Sequence, residues 1–151
     1  MKKIFILCTL ILIMFMSTVF AQNIDEDRWF WISSNSENTI YIDKETIKYN
    51  LATDSTDLWI CLIRPAENIF MLEHLEIFYK DNTYSAYEYA IYENNHSAPI
   101  VSGNAYKIKQ LIMPSTVGET IRDRSSELVG RDKKLAEYKE KQQAIKEQKE
   151  K

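Results

Sequence analysis

Before residue 113 the chain mostly alternates apolar and polar side chains; after it, apolar residues recur at helical spacing. Alternation with period two predicts strands, because successive side chains point to opposite faces. Residues 29–33 form the first such run, and the polar cluster Ser34-Asn35-Ser36-Glu37-Asn38 turns the chain. Residues 39–43 form the second, with Ile40 and Ile42 on one face and Tyr41 on the other. Asp43-Lys44-Glu45-Thr46 reads as a turn capped by the Asp43 side chain. Residues 47–49 make a short continuation, and 50–56 a mostly polar loop.

Residues 58–63 are apolar on both faces, which places them mid-sheet with both sides covered. A helix near the C-terminus is the expected cover for the second face. Residues 71–80 alternate again, with Met71, Leu75, Ile77 and Tyr79 on one face and His74, Glu76 and Lys80 on the other. Lys80-Asp81-Asn82 turns tightly into residues 83–93, predicting a hairpin. Residues 94–99 form another turn, and 106–112 a last strand with Lys107 and Lys109 outward, a device that blunts sheet edges.

Pro114 ends the sheet. Thr116 and Glu119 have capping-box spacing, Val117, Ile121 and Leu128 mark a helical face, and Gly130 is a stop. Residues 131–151 are rich in Lys, Glu, Gln and Ala. Leu135, Tyr138 and Ile145 fall on heptad positions, but Gln142 breaks the seam, so the expectation is an exposed helical or disordered tail. The fold class predicted is α+β: an antiparallel sheet of about six strands with one helix packed on it, forming a single domain over 22–130.

The first 21 residues change the compartment. Lys2 and Lys3 precede an apolar stretch over 4–20, and Val19-Phe20-Ala21 places small or modest side chains before a cut at Gln22. This order predicts a Sec-type signal peptide over 1–21 and a periplasmic or extracellular product. The alternative, a retained anchor, has an apolar stretch at the lower edge of the roughly 17–25 residues that span a bilayer. Cys8 lies inside the apolar run after Leu7, which is not the setting of a lipid-modified cysteine. Once the signal is removed Cys61 is the sole cysteine, so the domain stands on packing without internal disulfides.

Charge narrows the partners. Residues 131–151 carry eight Lys/Arg against five Asp/Glu, and the signal carries two lysines, so a chain total of −3 leaves the body, 22–130, at −8. That acidity argues against nucleic acid and against anionic lipid as partners.

Candidate chemistry is sparse. His74 sits between Glu73 and Glu76, but alternation sends Glu73 to the opposite face, and two same-side ligands fall short of a zinc site. Cys61 lies in the most apolar strand, where a thiol is held protonated and inert. No Gly-x-Ser-x-Gly elbow or Gly-rich phosphate loop is present. The expectation is therefore no catalytic residue, no metal and no cofactor. Tyr84, Tyr87, Tyr89 and Tyr92 are the candidate binding residues, Tyr84 and Tyr92 sharing a side with Glu88 and Tyr87 with Tyr89 the other. Ordinary cross-strand packing is the competing role for them. Asn95-His96-Ser97 matches a glycosylation triplet.

The order of features resembles the surface-adhesin protein E family of bacterial exported proteins. The matching residues are Trp29-Phe30-Trp31, Tyr41-Ile42-Asp43 with Thr46-Ile47, Asp57-Leu58-Trp59-Ile60, the Tyr-rich stretch from Tyr84 to Tyr92, Ile112-Met113-Pro114-Ser115, and Gly118-Glu119. The resemblance implies an antiparallel sheet with a C-terminal helix, and, by fold-level analogy, adhesin-like binding of host extracellular proteins. Many relatives carry a cysteine pair that could staple helix to sheet. This chain has no such pair, and its charged tail is extra. The function expected is a non-enzymatic exported binding protein with a host or envelope protein as partner. The alternative is a structural or accessory envelope protein whose tail docks on a partner; a small hydrolase comes last.

Overall fold

The computed structural model describes residues 24–94, 96–105 and 107–149. The expected signal peptide, Asn95 of the glycosylation triplet and Tyr106 lie outside the described residues. Eight strands form one antiparallel sheet: β1 (Trp29–Ser34), β2 (Thr39–Asp43), β3 (Lys48–Asn50), β4 (Ser55–Arg64), β5 (Ile69–Phe78), β6 (Thr83–Glu93), β7 (Val101–Asn104) and β8 (Gln110–Leu111). Helices α1 (Val117–Val129) and α2 (Arg131–Lys149) follow. The α+β architecture is thus as expected.

The strand order is β1-β2-β4-β5-β6-β7. β3 pairs with β4 beyond the end of β2, and β8 with β6 beyond the end of β7. Eight strands therefore occupy six lanes, because the Asp43 turn and the segment after β7 each interrupt a lane without leaving it. Long β4 and β5 pair along their whole length, from Ser55↔Phe78 to Arg64↔Ile69.

Leu58 and Ile60 of β4 join Ile40, Ile42, Leu75, Ile77, Ile112 and Ile121 in the buried core beneath α1. The other face of β4 carries Trp59, Cys61 and Ile63. α1 supplies the helical cover expected for one face, lying over the Leu58 side, and on the other side Cys61 is buried between its cross-strand neighbours Tyr41 and Leu72. Aromatic side chains are wide enough to cover short aliphatic ones in a twisted sheet, so the second face is a layer of rings.

The last strand also departs from expectation. Pairing resumes at Val101–Asn104, and of the described residues 107–112 only Gln110–Leu111 is a strand. Val101–Asn104 is exposed throughout, so no apolar pattern advertised it; it is held by its backbone ladder to β6. Gly103 lies against the Tyr89 ring, where a Cβ would stand 3.4 Å from the hydroxyl oxygen. Lys109 folds back to Asp81 at 3.1 Å and over the Phe78 ring.

Thr116 caps α1 by accepting from the Glu119 N–H, and the Glu119 carboxylate accepts from the Ser115 N–H at 2.8 Å, one residue earlier than an ordinary capping box. Gly130 ends α1 with φ +61, and no atom would crowd a Cβ there, so backbone conformation alone selects glycine. Arg131 then forks onto Asp54, both bonds 2.7 Å, with its guanidinium 4.6 Å from the Tyr79 ring centre. Beyond that clamp α2 is almost wholly exposed.

One buried polar chain pins α1 to the sheet. The Tyr79 hydroxyl lies 2.8 Å from Thr56 Oγ1 and 3.0 Å from Ser125 Oγ, and both partners are inaccessible to water. Tyr79→Phe is expected to cost about 1–2 kcal/mol, since Thr56 loses its partner while Ser125 still donates to the Arg122 carbonyl. Urea unfolding should show a lower midpoint with unchanged slope.

Candidate recognition face

The ring-lined face is assembled from four strands. Trp59 of β4 and His74 of β5 are directly opposed and stack at 5.1 Å with planes 10° apart. Asp57, two residues before Trp59 and so on its side, meets His74 Nε2 at 2.9 Å. From β6 the Tyr87 ring lies 5.3 Å from His74, tilted 37°.

Tyr87 reaches this face through a bulge. Leu75 pairs with Ala86 and His74 with Glu88, leaving Tyr87 as the extra residue. Its hydroxyl donates to Glu76 Oε2 at 2.5 Å, while Glu76 Oε1 accepts from Ser55 at 2.9 Å. That hydrogen bond, aided by burial, pushes the Tyr87 phenol up to about 12. It stays protonated and its ring is held in place. Lys107 Nζ sits 5.4 Å from the ring centre.

Beside Trp59 a recess of about 200 Å³ is lined by Arg28, Trp29, Asp43, Thr46 and Leu72. Asp43 is only 1 % exposed. It accepts from Arg28 Nε at 3.1 Å and Nη2 at 2.6 Å, and from the Glu45 N–H at 3.0 Å, closing the turn expected of it. Burial alone would raise its carboxyl, but these donors outweigh burial and hold it below the usual range. The Arg28 guanidinium lies 5.5 Å from the Trp29 ring.

The bulge also reorders the four candidate tyrosines. Tyr87 joins His74, and Tyr92 stacks on Phe70 at 4.7 Å on the same face. Tyr84 lines a cavity under α1, and Tyr89 pairs with Glu73, which lines that same cavity. So Tyr87 and Tyr92 share the open face with Glu88, and Tyr84 goes with Tyr89. Strict alternation places Tyr84 with Tyr92 and Glu88, and Tyr87 with Tyr89; the bulge exchanges Tyr84 and Tyr87, because one extra residue inverts the parity across it.

Glu73 and His74 do point to opposite faces, as alternation requires. Among the described residues no group of three or more His, Cys, Asp and Glu is placed to hold a metal ion. Cys61 is buried and its thiol is pushed up to about 12 by that burial. His96 lies apart, 3.4 Å from Glu93. Asp57 and Trp59 are the members of this face that sequence reasoning missed. Their partnership with His74 depends on the β4–β5 register. The available clue was the Pro65-Ala66-Glu67-Asn68 connection, which ends with Asn68 at φ 56, a left-handed position asparagine tolerates.

No helix among the described residues is long and apolar enough to cross a membrane. Comparison of the chain with protein-family models, curated proteins and solved structures gives no match.

Proposed function

We propose that the protein is an exported, non-enzymatic binding protein that grips another protein with the face built from Trp29, Trp59, His74 and Tyr87. The observation that carries this reading is the stack of Trp59, His74 and Tyr87, locked by Asp57 and Glu76. Rings fixed by neighbours lose little rotamer freedom on association, which is why aromatic anchors dominate interface energetics. Asp57 is 48 % exposed at the margin of the stack, and the body carries −8, so the partner's complementary surface is basic. The signal peptide expected over 1–21 and the resemblance to a surface-adhesin family favour the same reading.

A second reading is supported by α2, whose Tyr138 and Ile145 are exposed. In it the protein is an accessory envelope component that docks through this helix.

Immobilised protein of residues 22–151 would be incubated with envelope and host-matrix extracts, and captured proteins identified and titrated. Trp59→Ala is expected to weaken binding at least about 30-fold, whereas deletion of 131–151 leaves it unchanged. Loss on tail deletion, with Trp59→Ala unaffected, would establish the docking reading instead. Capture of nothing from either extract sinks both.

A further inference from the structure

On the opposite face of the sheet, α1 does not close fully onto the strands. A cavity of about 220 Å³ remains, with Ile60, Leu62 and Leu75 as floor and Val117, Gly118 and Ile121 as roof. It is a partly open pocket, with Val117 of its lining exposed to solvent, and its walls are mostly apolar. One charged side chain enters its wall. Glu73 stands between Ile60 and Tyr89 on the neighbouring strands. Burial pushes its carboxyl up, and no cation or hydrogen-bond donor among the described residues offsets that. The nearby Tyr84 hydroxyl is already committed to Gln110 at 2.8 Å.

We propose that this cavity is a binding site for a small primary amine with an apolar body, the hydrocarbon lying under α1 and the ammonium group meeting Glu73. Size sets the body. An apolar cavity of about 150 Å³ accepts benzene, so this one takes about six to ten non-hydrogen atoms. Charge sets the head. A carboxylate short of partners in an apolar wall is matched by a cation, and charge-assisted bonds are about twice as strong as neutral ones. Few polar groups in a greasy pocket is the usual way that orientation is specified. The site lies across the sheet from Trp59 and His74, so it is independent of the protein-binding reading.

The test uses residues 22–151 with n-hexylamine and n-hexanol, titrated by calorimetry and by the methyl resonances of the cavity lining. Hexylamine is expected to saturate and to bind at least about tenfold tighter than hexanol. Glu73→Gln should erase that difference while hexanol binding persists. Leu62→Trp, at a half-buried position on the floor, should block both ligands, and Trp31→Ala, at an exposed position on the far face, should change neither. Equal affinity for the two ligands in the wild type, preference for the amine surviving in Glu73→Gln, absence of saturable binding, or loss in Trp31→Ala would each overturn the proposal.

Discussion

Leu58→Ala is expected to remove about 3–4 kcal/mol of stability, the usual range for truncating a fully buried leucine. Leu58 is 0 % exposed and lies in β4, a central lane of the sheet, opposite Leu75. Strands pair on both edges of β4 and α1 lies above it, so the surroundings cannot collapse to fill the space. Against a total of about 5–15 kcal/mol, that is a large fraction. The melting temperature should fall by more than about 10 °C. Trp31→Ala, at a larger side chain that is 53 % exposed, should cost less than about 1 kcal/mol. If chemical denaturation ranked the two the other way, the assignment of the core to the Leu58 face would be wrong.

Asp43→Ala is expected to cost about 2–4 kcal/mol, because one buried carboxylate holds Arg28, the Glu45 N–H and the link from β2 to β3. The lower part of that range is the better guide, since water can resolvate the half-exposed Arg28 once its partner is gone. The pH dependence follows from the direction of the shift. The folded-state pKa of Asp43 lies below the unfolded value, so its contribution is complete above about pH 4–5 and is lost as pH falls through the folded pKa. Asp54, held down first by its hydrogen bonds from Arg131, acts in the same sense. Glu73 acts in the opposite sense: its raised pKa disfavours the fold once pH climbs through it. Acid titration of unfolding should therefore show Asp43→Ala losing less stability than the wild type between about pH 5 and 2. Glu73→Gln should be more stable than the wild type near neutrality, with the advantage fading in acid. Equal acid sensitivity of wild type and Asp43→Ala would contradict the Arg28–Asp43 pairing.

The same carboxylate couples stability to recognition. Asp43 holds Arg28 beside Trp29, and both line the recess next to Trp59. Asp43→Ala should thus weaken partner binding as well as the fold, whereas Trp59→Ala should act chiefly on binding.

The sequence by itself determined the strand and helix types, the β5–β6 hairpin, the Asp43 turn, the α1 cap at Thr116 and its stop at Gly130. Each is set within a few residues, by side-chain alternation or by a side chain bonding its own backbone. It also set the burial of Cys61, which sits inside a run of six apolar residues. The site was not legible in that way. His74 acquires Asp57 and Trp59 only through the register of β4 on β5, and Tyr87 only through a bulge that reverses the parity of every later residue in β6. β7 forms without an apolar pattern, since backbone pairing to β6 stabilises it. Which face α1 covers, and that it leaves a cavity beside Glu73, depend on how helix and sheet surfaces fit. Those are distances between segments far apart in the chain, and local patterns carry no record of them.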